Sequence, residues 1–135
     1  SQLPAFVQSY PSDGSLGVDP SAPGGSDAAG GYIQFSFSDN LLPMIDPSTV
    51  NDLSVTLRND TDSDFSLGTI IYVAADSIGC VWTDTDFKTF RFYTNTLLSG
   101  KHYTLQIGVD GPPSYYITDF AGNAALPVSI GFTTQ

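Results

Sequence analysis

The stretch Tyr-Ile-Gln-Phe-Ser-Phe-Ser at residues 32–38 decides the fold class of this 135-residue chain. Its apolar residues Ile33, Phe35 and Phe37 alternate with Gln34 and Ser36, which is the period-two pattern of a strand with one buried face. No segment of the sequence shows ten or more residues of helical periodicity. The pattern therefore predicts a β-strand whose large side chains pack into a core.

The same alternation returns along the chain and predicts further strands. The predicted inward residues are Leu53, Val55, Leu57, Phe90, Phe92, Tyr103, Leu105, Ile107, Val109, Val128, Ile130 and Phe132. Two weaker candidates are Ala5–Tyr10 and Thr69–Ala74, the latter continuing through Cys80–Thr83. About seven short strands separated by Gly, Pro and Asp turns favour an all-β, immunoglobulin-like Greek-key sandwich, with a barrel as the structural alternative. We expect residues 1–135 to form a single domain.

Composition excludes several classes of function. Four basic residues against fourteen aspartates and no glutamate give a net charge of −10, which opposes binding to nucleic acid. No apolar run approaches the roughly 20 residues of a transmembrane helix, and residues 1–4 do not resemble a signal peptide. The lone Cys80 has no partner for an intramolecular disulfide.

Four motifs carry a resemblance to a known family. They are Pro11-Ser-Asp13-Gly14 after a first strand, Ile45-Asp46-Pro47-Ser-Thr49-Val50, Leu97-Leu98-Ser-Gly100-Lys-His-Tyr103, and Thr118-Asp119-Phe-Ala-Gly122-Asn123 before a last strand. Together they resemble the bacterial Ig-like domains of S-layer proteins and other tandem surface proteins. The resemblance implies an extracellular or cell-surface location and a structural role beside neighbouring domains or copies of the chain.

Each motif also has a local physical interpretation. Gly100 and Tyr103 suit a tyrosine corner, in which the ring is buried and the hydroxyl bonds the backbone a few residues upstream. Asp119 and Asn123 suit capping of backbone amides, with Gly122 at a left-handed position. Asp13 and Gly14 belong to a turn, so we expect structural roles for all of these residues.

Three segments, 19–31, 59–68 and 74–86, add length relative to the resembled family, and specific function is expected in such loops. The first, rich in Gly and Pro, is predicted to be an exposed loop. In the second, Asp60, Asp62 and Asp64 form a candidate calcium site, although the spacing does not match an EF-hand. Asn59 heads the only Asn-x-Ser/Thr sequon and is a candidate glycosylation site on an exposed loop.

Other candidate sites have simpler explanations. His102, the only histidine, falls on the outer face beside Lys101 and suits a solvated role. The chain offers no evident set of nucleophile, base and orienting group, so no enzymatic activity is predicted. Candidate aromatic contacts to carbohydrate are Trp82, Tyr93, Tyr115 and Tyr116.

Two functional hypotheses follow. The first is a non-catalytic structural or assembly module of a stalk, layer or filament, whose N-terminal strand could pair in its own sandwich or in that of a neighbouring copy. The second is an adhesive domain that binds carbohydrate or protein through calcium-supported loops.

Overall fold

The computed structural model describes residues 4–38, 45–51, 53–62, 80–82, 89–94 and 96–135. Its strands are β1 Phe6–Tyr10, β2 Ser15–Val18, β3 Ser26–Asp27, β4 Gly30–Phe37, β5 Val55–Asn59, β6 Cys80–Trp82, β7 Thr89–Tyr93, β8 His102–Ile107 and β9 Val128–Thr134. A 3-10 turn covers Pro47–Thr49. Within these ranges no helix is long and apolar enough to cross a membrane.

The strands form two sheets. One has the order β1-β4-β7-β6, with β3 paired to β4, and the other has the order β2-β9-β8-β5. The neighbours are antiparallel except for β2 and β9, which are parallel. In the described residues the strands therefore lie in two separate sheets and do not close into a barrel.

The strand order is that of an immunoglobulin-like domain. Without the short strands β2 and β3, seven strands remain in the described chain. In chain order, the first, second, fifth and fourth make one sheet, and the seventh, sixth and third make the other. This is the ABED and GFC arrangement of an immunoglobulin sandwich, so the predicted fold class is confirmed.

The core lies between the two sheets and includes most of the residues that alternation placed inward. Phe35 and Phe90 stack with their ring centroids 5.7 Å apart, and Tyr103 stacks on Phe132 at the same distance. The buried apolar residues are Val18, Ile33, Phe35, Phe37, Ile45, Val50, Val55, Leu57, Phe90, Phe92, Leu97, Tyr103, Leu105, Ile107, Ile117, Ala125, Ile130 and Phe132. Burial of these side chains is the main force that holds the sheets together.

The predicted inward position of Leu53 is wrong. Strand β5 begins at Val55, and the side-chain oxygen of Asn51 accepts hydrogen bonds from the backbone N–H groups of Leu53 and Ser54. This turn buries Ser54 and leaves Leu53 exposed. The alternation of apolar residues in the sequence therefore extends to Leu53, one alternate position before the start of β5.

The expectation for Val109 is also wrong. Strand β8 ends at Ile107, and Gly108 follows with a φ of +79°, so the regular extended conformation stops before Val109. The N–H of Gly108 donates instead to the carbonyl of Ser54. Val109 is only half buried.

Residues 19–31 contain more strand structure than the exposed loop predicted for them. Strand β3 and the start of β4 lie here, and Gly31 is buried. The N–H of Gly24 donates to the carbonyl of Tyr32 at 2.7 Å. Of the two weaker candidate strands, Ala5–Tyr10 corresponds to β1, and β6 lies in the continuation Cys80–Thr83 of the second. The first part of that second candidate, Thr69–Ala74, lies outside the described residues.

Candidate functional site

The outer face of β5 and β8 carries a charged cluster centred on Asp60. Its carboxylate accepts from Nε of Arg58 at 2.7 Å and from the hydroxyl of Thr104, and it lies 2.9 Å from Nδ1 of His102. Partial burial raises the pKa of Asp60, but the hydrogen bonds from Thr104, Arg58 and His102 outweigh this effect and lower it. His102 is exposed, as its strand position predicts.

Next to this cluster, Asp62 forms an ion pair with Lys101. Its carboxylate contacts Nζ of Lys101 at 2.9 Å and accepts from the side-chain amide of Asn59 at 3.0 Å. The hydrogen bond from Lys101 lowers the pKa of Asp62. Within the described residues, His, Cys, Asp and Glu side chains form no group of three that could hold a metal. Asp64 lies outside them, so the calcium site stays a prediction.

Asn59 does not lie on an exposed loop, and that expectation is wrong. It is the last residue of β5 and is fully buried. Its side-chain oxygen accepts from the backbone N–H of Asp62, and its nitrogen donates to the carboxylate of Asp62. The folded chain therefore does not expose this amide to a modifying enzyme.

The residues of the predicted tyrosine corner lie together. Tyr103 is fully buried, and its hydroxyl accepts a hydrogen bond of 2.9 Å from the backbone N–H of Leu98. Gly100 has a φ of +68°, and its N–H donates to the carbonyl of Gln135. The corner thus connects the start of β8 with the end of β9.

The loop before β9 is organised around buried Asp119. Its carboxylate accepts from the backbone N–H groups of Ala121 and Asn123 and from the side-chain amide of Asn123. Gly122 has a φ of +88° and donates its N–H to the carbonyl of Asp119. Burial raises the pKa of Asp119, but these hydrogen bonds outweigh it and hold the pKa below its usual range.

Asp13 and Gly14 attach the N-terminal turn to the last strand. The carboxylate of Asp13 accepts from the N–H of Gly131 at 2.7 Å, and the N–H of Gly14 donates to the carbonyl of Gly131 at 2.6 Å. These two hydrogen bonds lie immediately before the parallel pairing of β2 with β9, which begins at Ser15. Sequence indicated the turn, but not its partner 118 residues away.

The candidate aromatic residues do not form one surface in the described chain. Tyr93 lies on the β4–β7 face, where its ring meets Tyr32 edge to face and its hydroxyl donates to Asp27. Tyr116 bonds Asp110 instead, in the loop between β8 and β9. The side chain of Trp82 lies outside the described set.

One surface has no counterpart in the sequence motifs. A groove of about 310 Å³ opens between the start of β1 and the start of β9. It is lined by Pro4, Ala5, Phe6, Leu126 and Val128. Residues 4–6 are more than a hundred positions from Leu126 and Val128 in the chain, so no local sequence pattern predicts that these two segments meet.

Comparison with solved structures finds the same fold in a surface layer protein. All of this chain superposes on part of surface layer protein SbsC, domains 1–6, with a TM-score of 0.54 and 13% identity. A second structure, S-layer protein rSbsC(31-844), matches 99% of the chain with a TM-score of 0.52 and 15% identity. The chain has the fold of an S-layer protein domain.

The S-layer fold accounts for the chain from end to end, although the chain spans only 14% of either matched structure. No family model and no curated protein sequence matches it. At this identity the likeness establishes the shared architecture.

Proposed function

We propose that this chain is a non-catalytic structural module of an extracellular or cell-surface assembly. The observation that carries the proposal is the direction of the chain through the sandwich. Residues 4–6 line the same groove as Leu126 and Val128, so β1 begins beside the beginning of β9. At the other end, Val18 of β2 pairs with Thr134 of β9.

The chain therefore enters at one end of the sandwich and leaves at the other. The seven residues of β9 separate these ends by roughly 20 Å at the usual rise of a strand. Domains joined through such ends continue in line and lengthen the assembly. Neighbouring domains, or further copies of the chain, are the partners that this geometry suits.

The S-layer fold supports a cell-surface location, because surface layer proteins contain domains of this architecture. The ionisable residues support a structural role as well. Asp60 and Asp62 hold the cationic side chains of Arg58 and Lys101, and Asp119 holds backbone amides. In each case the carboxylate bonds groups within the domain itself.

Exchange of β1 between copies is one route to a larger assembly. In the sandwich β1 pairs with β4, with Phe6 opposite Phe37 and Tyr10 opposite Gln34. A β1 donated by a neighbouring copy would make the same pairing. Removal of residues 1–10 tests this route, because exchange requires that the shortened chain lose both stability and assembly.

Light scattering over a range of concentrations, with negative-stain microscopy of the same samples, tests the proposed role. The proposal predicts ordered oligomers, layers or filaments, or an inert folded monomer that extends only when copies are joined in series. Turnover of a substrate by the purified chain would contradict it. A parallel series with calcium tests the predicted metal site, since a bound cation raises the melting temperature.

A further inference from the structure

Strand β1 forms an edge of its sheet. In the described part of the chain it pairs only with β4, so its other side presents backbone N–H and C=O groups without a strand partner. Natural proteins commonly protect such edges with charged side chains or proline. Strand β1 has the sequence Phe-Val-Gln-Ser-Tyr and contains neither, and its one irregularity is a register shift against β4 between Phe6 and Gln8.

The surface around β1 is also poor in charge, although the chain carries a net charge of −10. Residues 4–12 and 120–135, which include β1 and β9, contain no charged side chain. The carboxylate of Asp13, between β1 and β2, is bonded to the N–H of Gly131. Two copies of a strongly acidic protein repel each other least where their charges are sparse.

Large apolar side chains are exposed along the same side of the sandwich. Val7 and Tyr10 of β1 are 57% and 51% exposed, Leu16 of β2 is 80% exposed, and Leu126 is 77% exposed. The groove between β1 and β9 lies beside them. A folded protein gains free energy when a partner covers such surface.

We propose that the free edge of β1 pairs antiparallel with β1 of a second copy, which extends the β1-β4-β7-β6 sheet across a two-fold interface. This inference rests on the structural role proposed above and names the partner. With Gln8 at the two-fold axis, Phe6 of each copy stands opposite Tyr10 of the other, and Val7 opposite Ser9. No charged residue lies within the paired strands.

The two-fold arrangement would also cover the groove between β1 and β9. When the axis is perpendicular to the sheet, both copies keep their second sheet on the same side of the interface. The β2 and β9 edges then face each other, and Leu126 and Leu16 of each copy are covered. A two-fold arrangement uses the same surface on both partners, as in most protein dimers.

The second copy fits this edge better than an acidic or basic partner does. Each β1 supplies the same uncharged, apolar strand, so the surface is complementary to itself. A charged partner would find no opposite charge on β1 to pair with.

The test compares two variants by sedimentation equilibrium. Val7→Lys places two like charges near the two-fold axis and blocks the edge, so we expect dimerisation to weaken by about tenfold or more. Leu98→Lys is the matched control, since Leu98 is also exposed and the net charge changes by the same unit. Circular dichroism verifies that both variants fold, and the control should dimerise like the wild type.

Hydrogen exchange of the wild type adds a measurement that does not depend on a variant. Amides of β1 should become more protected as the concentration rises, whereas those of β5 should not. Dimers that persist unchanged in Val7→Lys would overturn edge pairing but leave the structural role standing, as strand exchange or another surface would then join the copies. A wild type that stays monomeric at millimolar concentration would also overturn edge pairing, and the structural role would then depend on copies joined in series.

Discussion

Four aspartates in the described chain accept a hydrogen bond from the backbone N–H two residues further along. Asp19 bonds Ser21, Asp27 bonds Ala29, Asp46 bonds Ser48 and Asp119 bonds Ala121. The short side chain of aspartate makes this turn, and the longer side chain of glutamate is less suited to it. Much of the negative charge therefore has a local structural use.

Asp119 should make the stability of the domain depend on pH. Its pKa is lowered in the folded state, so its contribution is present above the unfolded pKa of about 3.9 and is lost as the pH falls through the folded pKa. In Asp119→Asn, the new amide can point a donor at the donor of Asn123. We expect the melting temperature at pH 7 to fall by roughly 5 °C or more.

The difference in melting temperature between wild type and Asp119→Asn should shrink as the pH falls below about 4 toward the lowered pKa of folded Asp119, because the wild-type carboxylate then becomes neutral like the amide. Asp110→Asn is the control, since Asp110 is exposed and its carboxylate accepts a hydrogen bond from the hydroxyl of Tyr116. Thermal scans between pH 3 and pH 7 measure both variants. A difference that stays constant over this range would show that ionisation of Asp119 has no part in stability.

Tyr103→Phe isolates the hydroxyl of the tyrosine corner. The change keeps the buried ring but leaves the N–H of Leu98 without its acceptor, so the free energy of unfolding should fall by about 1–2 kcal/mol. Tyr116→Phe, in which an exposed hydroxyl is lost, should cost less than about 0.5 kcal/mol. Urea unfolding compares the two, and equal losses would remove the special role of Tyr103.

At the scale of elements, glycine lets residues 19–31 pack against the sheet. A Cβ on Gly24 would lie 2.0 Å from the carbonyl oxygen of Tyr10, and one on Gly31 would lie 2.1 Å from that of Ser21. Both obstacles are backbone atoms, which cannot rotate away. The abundance of Gly and Pro that predicted an exposed loop here in fact permits close backbone contact.

Gly24→Ala should therefore destabilise the domain by more than about 2 kcal/mol, because the segment must move off β1 and β4. Gly17→Ala provides a comparison, since Gly17 has a φ of +63° but nothing within 4 Å of an added Cβ. Its cost should be about 1 kcal/mol, from conformation alone. Chemical unfolding that ranks Gly17→Ala as the more damaging change would contradict this packing.

Sequence predicted the strands that follow strict alternation, because one face of each is buried and the other is not. Phe35, Phe90 and Leu105 are inward as expected. It missed β2, in which Leu16 is exposed and the pairing is with a strand more than a hundred residues away. Strand ends such as that before Val55 depend on turn hydrogen bonds, which apolar periodicity does not record.

Some candidate site residues lie in contiguous motifs and could be predicted from sequence, whereas others are brought together only by the tertiary fold. Motifs placed Tyr103, Asp119 and Asp13 in structural turns, since each motif is contiguous in sequence. The partners of Asp60 come from β5 and β8, and the groove joins residues 4–6 to residues 126–128. Such contacts follow from the tertiary fold and could not be inferred from spacing.

At the scale of the whole molecule, the structural role depends on a sandwich that carries the chain from one end to the other. The parallel pairing of β2 with β9 fixes this direction, and the bonds from Asp13 and Gly14 to Gly131 hold it in place. The S-layer fold extends over the full chain. Together these features support the proposed role as a structural module between neighbouring domains.

Small-angle X-ray scattering of two copies joined in series tests this claim most directly, with Val7→Lys in both copies so that their β1 edges cannot pair. If the chain enters and leaves at opposite ends, the joined pair should be a rod whose maximum dimension is about twice that of the single domain. A pair that folds back side by side, with a maximum dimension close to that of one domain, would contradict the account.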